Sequence, residues 1–313
     1  MSAAGDGPIH SGHVLSSNLN GLKQNTHLFF DDDMKYIEPV QAVADANPGL
    51  NLQSVYCEIP VGFVLHNQSG AQQINVTTAA EFRQAKLAGL PDSDFKNWLS
   101  GLKVESSVGT GLTVDVIRQL IQRETQSDKK CMYFFDFDQT LTYVKSLNFD
   151  FRKVGMPQNF YQQYARYIFS DFCGEEPEEG GRLRLLQTLF GMIGPERIYV
   201  VTSNEMACPQ MRKTDGTLGS TNPFLPHFIG LINQLLPNFN PKHLISTCEK
   251  NTTSHFSSKN AAISDIIRGT PSKGGSTTRK NKSSSHKKKY SRVPSKKTKY
   301  RRRHRRTTRN HRK

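Results

Sequence analysis

A short apolar run that ends in two carboxylates constrains this chain more than any other feature. It reads Met132-Tyr-Phe-Phe-Asp136-Phe-Asp138-Gln-Thr140-Leu-Thr142. Tyr133 to Phe135, aromatic and bounded by the polar segment Ser127 to Lys130, predict a buried strand. Side chains alternate along an extended chain, so Asp136 and Asp138 point to the same side. They also stand at the strand's carboxyl end, where an open α/β sheet places its ligands. Two carboxylates held there repel each other unless a cation or a shared proton lies between them. The pattern calls for an α/β fold with an acidic site at one sheet edge.

Other segments have the same form. Arg197-Ile-Tyr-Val-Val201 predicts a second buried strand, followed at once by Thr202-Ser203-Asn204. Such hydroxyl residues also serve as turn formers or helix caps. Further on, Ser257 and Ser258 cap a predicted helix. Its apolar face is Ala262, Ile263, Ile266 and Ile267, and its first turn carries Lys259. Lys250, just after a predicted strand at His243 to Thr247, is a second candidate cation. Near the start stands Thr26-His-Leu-Phe-Phe30-Asp31-Asp32-Asp33, an apolar strand ending in acids. A helix opens at Tyr36 and Ile37, continues through Ala42, Val43 and Ala46, and stops at Asn47-Pro-Gly49. Leu52 to Ile59 predict the next strand. His27 is read as satisfying a local hydrogen bond.

The Asp-x-Asp-x-Thr step after an aromatic strand resembles the first motif of the haloacid dehalogenase (HAD) phosphatase superfamily. The resemblance implies a Rossmann-like three-layer sandwich with a mostly parallel sheet. It makes Asp136 the nucleophile that becomes an aspartyl-phosphate, and Asp138 the general acid and base. Thr202 occupies the second motif, and with Ser203 it is expected to hold the phosphoryl oxygens. Lys259, or its competitor Lys250, is the neutralising lysine. The family's fourth motif, a strand ending in acids, does not follow Ile267; it looks displaced to Phe30-Asp31-Asp32. A circular permutation accounts for this, since joining Ile267 back to Thr26 restores the family order, and termini that lie close together at a surface tolerate it. The rival reading makes Asp31 to Asp33 an acidic turn in a separate small domain. Under the permutation, Mg²⁺ is held by Asp136, the backbone carbonyl of Asp138 and Asp31, with Asp32 as alternative ligand or as a partner of the groups that ligate. Hard oxygen ligands suit that ion.

Charge divides the chain. Of its 313 residues and formal charge of +15, the segment 271–313 takes 19 Lys and Arg and no Asp or Glu. The first 270 residues then hold 23 basic against 27 acidic side chains, a formal −4. A tail of this composition cannot bury enough surface to fold alone. It is expected to contact nucleic acid or another polyanion; a nuclear localisation role for Lys287 to Lys289 or Arg301 to Arg303 is equally compatible. The expected organisation is a disordered segment 1–25, an α/β domain 26–268 and a disordered tail 269–313. Within the domain, 26–60 is the relocated unit, 61–130 connecting helices and linker, and 131–268 the first three motifs. The five cysteines lack close pairing, so neither a zinc module nor a disulfide framework is expected. No apolar run approaches the ~20 residues that span a bilayer. An intracellular protein, cytoplasmic or nuclear, is expected, with no membrane partner.

Thr140 and Thr202 are 62 positions apart, and Thr202 and Lys259 are 57 apart. In the family, large caps inserted at these places enclose small metabolites; these gaps leave room for a small cap or none, at most around Tyr161 to Phe172. An open site fits a bulky phosphorylated substrate: a nucleotide, a nucleic-acid end or a phosphoprotein. The alternative is a catalytically silent HAD-like protein that binds nucleic acid or serves a structural role.

Overall fold

The computed structural model describes residues 12–58, 63–66, 73–76, 84, 86–90, 92–100, 111–126, 131–143, 159–170, 181–212, 218–247 and 258–269. The chain divides between Gly274 and Gly275, so residues 270–313 and the expectations placed on them lie outside the described residues. So do residues 1–11, the linker at 101–110 and Lys250.

Runs of two to five residues form the strands of one six-stranded sheet. They are β1 (Val14–Leu15), β2 (His27–Asp31), β3 (Leu52–Tyr56), β6 (Tyr133–Phe135), β7 (Ile198–Thr202) and β10 (Leu244–Ser246), in the spatial order β1-β3-β2-β6-β7-β10. Every pairing in it is parallel. All six carboxyl ends therefore share one edge. Two antiparallel hairpins stand apart, β4 (Phe63–His66) with β5 (Gln73–Val76), and β8 (Gln210–Arg212) with β9 (Leu218–Thr221).

Helices cover both faces, as an all-parallel sheet requires. On one side lie α1 (Met34–Ala46) and α7 (Lys259–Ile267). Ile37, Val40 and Ala44 of α1 pack with Ala262 and Ile263 of α7 onto Phe29, Phe134 and Val201. The other side holds α2 (Ser93–Ser100), α3 (Val114–Gln126), α4 (Phe160–Phe169), α5 (Arg182–Ile193) and α6 (Leu225–Ile232). There Leu28, Phe30, Tyr133 and Phe135 meet Leu120, Leu189 and Phe190. The Phe30 and Phe135 rings stack at 5.0 Å, and Phe135 stacks on Phe190 at 5.3 Å. Alternation along β2 and β6 thus feeds two cores at once, which gives the three-layer α/β sandwich.

One expectation changes. The segment before Thr26 was expected to lie outside the fold, yet Val14 and Leu15 extend the sheet beside Val55 and Tyr56, and Leu19 is buried. Its two-residue strand is too short for hydrophobic periodicity to register. Of a small cap around Tyr161 to Phe172 or none, the described part of that segment fits none: Phe160, Tyr164, Ala165, Ile168 and Phe169 of α4 are all buried in the larger core. No helix among the described residues is long and apolar enough to cross a membrane.

Candidate active site

The parallel register sets the site. Phe30 pairs with Phe135, and Phe135 with Val200. Asp31 and Asp136 therefore stand at the same level, and Thr202 ends the next strand one residue beyond it. The Asp136 N–H donates to the Phe30 carbonyl at 2.9 Å, which fixes the first acid of one strand beside the last residue of the next. The Thr26–Ile37 unit is part of the main sheet and directly neighbours the strand that carries Asp136. That disposes of its placement in a separate small domain.

Lys259 enters between the two acids from the first turn of α7. Its Nζ donates to Asp31 Oδ2 and to Asp136 Oδ1, each at 2.6 Å. Ser258 caps that helix, its Oγ accepting from the Ala261 N–H at 3.4 Å. The ammonium is almost fully buried. Burial works against its charge, but Asp136 and Asp31 outweigh it and hold the pKa above the ordinary lysine value. The Tyr36 ring lies over the same Nζ, 3.9 Å away.

The carboxylates outnumber that cation. Burial raises the Asp31 pKa against the opposing pull of Lys259, and burial likewise raises that of Asp136, with Lys259 opposing and Asp31 and Asp138 adding to the rise. Asp32, half-buried, is pushed up to about 6 by desolvation and then by Asp136. Oxygens of Asp31, Asp32 and Asp136 lie within 4.8 Å of one another. Three hard anionic donors so close, each penalised for its charge, fit a small divalent cation, which would relieve that penalty. Cys57, buried beside them, has its thiol pushed well up by burial and by the same carboxylates, so it stays protonated.

The turn after β6 shapes the other wall. Gln139 adopts a left-handed conformation, φ 60°, and the Thr142 N–H closes a wide turn onto the Phe137 carbonyl at 3.1 Å. Left-handed backbone is uncommon outside glycine, and it turns the chain back beneath Asp138. Thr140 is buried, with its hydroxyl 3.5 Å from Asp32 Oδ1. Asp138 is held from the neighbouring strand, because Asn204 Nδ2 donates to its Oδ2 at 2.6 Å. The Asn204 N–H donates to Thr202 Oγ1 at 3.1 Å, and Ser203 Oγ pairs with the Tyr36 hydroxyl at 2.9 Å. These groups surround a cavity of about 430 Å³, onto which Asp31, Asp32, Asp136, Asp138, Thr202 and Ser203 open.

Every candidate within the described residues thus converges on one place: Asp31, Asp32, Asp136, Asp138, Thr202, Ser203 and Lys259. Sequence reasoning missed the groups that hold them. Asn204 was visible only as part of a polar triplet. Arg182, wholly buried, donates to the carbonyls of Leu112, Phe169 and Thr140, the last inside the turn after β6. Nothing in its sequence neighbourhood marks it, since the contacts come from three distant segments. His27 does take a local hydrogen bond, its Nδ1 accepting from the Met132 N–H at 2.8 Å. The cysteine spacing indicates no disulfide framework. Cys57 and Cys131 are buried and free, whereas Cys208 is disulfide-bonded. Sequence spacing does not report which distant thiols meet in space.

The chain matches no protein-family model, no curated protein and no solved structure.

Proposed function

We propose that this protein is a Mg²⁺-dependent phosphohydrolase of HAD type, working through an aspartyl-phosphate on Asp136. One observation carries the reading. The Lys259 ammonium sits 2.6 Å from both Asp31 and Asp136, so three remote segments supply one charged cluster at the carboxyl edge of a parallel sheet. The position of β2 beside β6 also supports the relocation of the last βα unit to the front of the chain.

In this mechanism a carboxylate oxygen of Asp136 attacks phosphorus as the bond to the leaving oxygen breaks. Asp138 delivers a proton to that oxygen. The same Asp138 then takes a proton from water as the water attacks phosphorus, releasing inorganic phosphate and restoring Asp136. Asn204 holds Asp138 in place for both transfers. Thr202 accepts from Asn204 through its oxygen, leaving its own O–H to donate to a phosphoryl oxygen, with Ser203 beside it. Lys259 offsets the charge that gathers on the nucleophile and the phosphoryl group. Mg²⁺, held by Asp31, Asp136 and Asp32, would supply Lewis-acid polarisation of the phosphoryl group and let two anions approach. The tail 271–313, with 19 basic and no acidic residues, would contact nucleic acid or another polyanion and bring the site to a bulky substrate.

The test is hydrolysis of a generic aryl phosphate with and without Mg²⁺. Metal-dependent turnover lost in Asp136→Asn and in Asp31→Asn is the expected result. Turnover that survives Asp31→Asn would remove the N-terminal acids from the site. No turnover by the wild type, on aryl phosphates or on phosphorylated nucleic acid and protein, would leave a silent, polyanion-binding protein.

A further inference from the structure

Lys259 presents a puzzle of access. The cavity opens onto Asp31 and Asp136, yet Lys259, which touches both, contributes nothing to its wall. Tyr36 occupies that wall instead, with its ring 3.9 Å from the Lys259 Nζ and its hydroxyl on Ser203 Oγ at 2.9 Å. The ring therefore lies between the ammonium and the solvent of the cavity. Its backbone is firmly set. Asp33 caps α1 by accepting from the Lys35 N–H at 3.0 Å, and the Tyr36 N–H donates to the Asp33 carbonyl at 2.9 Å. An aromatic face attracts a cation electrostatically and sheds water at the same time. The hydroxyl spans from the acidic turn after β2 to the hydroxyl-bearing loop after β7, two walls with no other side-chain bridge among the hydrogen bonds described above.

We propose that Tyr36 is a positioning residue for Lys259. Its ring closes the ammonium off from water and keeps it on Asp31 and Asp136, while its hydroxyl fixes Ser203 at the opposite wall. The two parts have separable consequences. The ring governs whether Lys259 is reachable from the cavity; the hydroxyl governs how firmly the loop after β7 is held. The kinetic consequence rests on the phosphohydrolase reading, and the shielding consequence does not.

The experiment combines site-resolved acetylation of the full-length protein with aryl-phosphate kinetics, for wild type, Tyr36→Phe and Tyr36→Ala, each first shown folded by its thermal melt. Lys259 is expected to be protected in the wild type and in Tyr36→Phe, and to acetylate at least ten times faster in Tyr36→Ala, with exposed lysines unchanged. In the same series kcat should fall about tenfold or more in Tyr36→Ala at nearly constant KM, because the ground-state contacts of the phosphoryl group remain. Tyr36→Phe should recover most of the loss. If Tyr36→Ala does not fold, Tyr36→Leu, which keeps bulk but no aromatic face, is read in its place. An unchanged Lys259 acetylation rate in folded Tyr36→Ala, or in Tyr36→Leu read in its place, overturns the proposal. So does equal loss of kcat in the Phe and Ala variants, since the ring would then contribute nothing. Faster acetylation together with an inactive wild type upholds the shielding and rejects the phosphohydrolase reading instead.

Discussion

Strand β6 carries a buried charge cluster at each end, and the two are built to opposite rules. At its amino end Arg197 pairs with Glu124, both nearly buried, and the Tyr133 hydroxyl donates to the other Glu124 oxygen at 2.9 Å. One cation meets one anion, and a neutral donor satisfies what is left over. At its carboxyl end a single ammonium faces Asp31 and Asp136, with Asp32 close by. A balanced buried pair holds helix α3 to the sheet. An unbalanced one keeps a surplus of negative charge that only a further cation or a proton relieves, and it faces a cavity rather than packed protein. The distinction between structural and chemical charge lies in that imbalance, since burial is shared by both.

Substitutions at the two ends should therefore separate. The largest effect is expected from Asp136→Asn, which removes the proposed nucleophile: turnover should fall by on the order of 10³-fold or more, while the melting temperature stays near the wild-type value, because one of several crowded carboxylates has become neutral. Equal destabilisation at both ends would erase the contrast. Glu124→Gln should do the reverse. It leaves Arg197 buried without its counter-charge at a cost of about 3 kcal/mol or more in denaturant unfolding, with specific activity per folded molecule retained.

Divalent cation sharpens the comparison further. Mg²⁺ at a hundredfold excess over its Kd should stabilise the protein by about 2.7 kcal/mol. Asp31→Asn should abolish that shift, and Glu124→Gln should leave it intact. A shift that persists in Asp31→Asn would place the ion elsewhere. The smallest effect is expected at His27, near the amino end of β2. Burial lowers its pKa below the ordinary 6.5, so the unfolded chain takes up the proton first. The stabilisation is then complete above pH 6.5 and is lost as pH falls towards the folded-state value. Between pH 7.5 and 5 the wild type should lose more unfolding free energy than His27→Gln, by the smallest margin of the series. Parallel losses would mean that the His27 hydrogen bond is not coupled to its protonation.

The residues of the candidate site were more legible in the sequence than those that support them. Asp136, Asp138, Thr202 and Lys259 announce themselves because each ends an apolar strand or opens a capped helix, and such punctuation is local. The helix at Phe160–Phe169 is legible in the same way, from the spacing of its apolar residues. Its role is not: nothing local says whether an amphipathic helix covers a site or fills a core. The β8–β9 hairpin, the short strand β1 and helix α2 escaped because their segments are short, polar or interrupted. Arg182 and Asn204 escaped for a different reason. Their partners, Thr140 and Asp138, are 42 and 66 residues away, and no sequence period reports a contact at that range. The adjacency of β2 and β6 was legible only through the resemblance, and the sheet order is what turns three scattered acids into one cluster.

The Lys259–Asp31 contact joins residues 228 positions apart, and this sets a timetable for the protein's birth. A ribosome makes Asp31 and Asp136 long before it makes α7. Throughout that interval the nascent sheet can assemble its central strands, but the charge at their edge lacks the Lys259 ammonium. Protonation or a borrowed metal ion must stand in, because a buried carboxylate without either is costly. The site is therefore completed last, by a segment arriving after the scaffold it completes. A release-timed folding assay would show it, with protease resistance in the strands preceding that of α7.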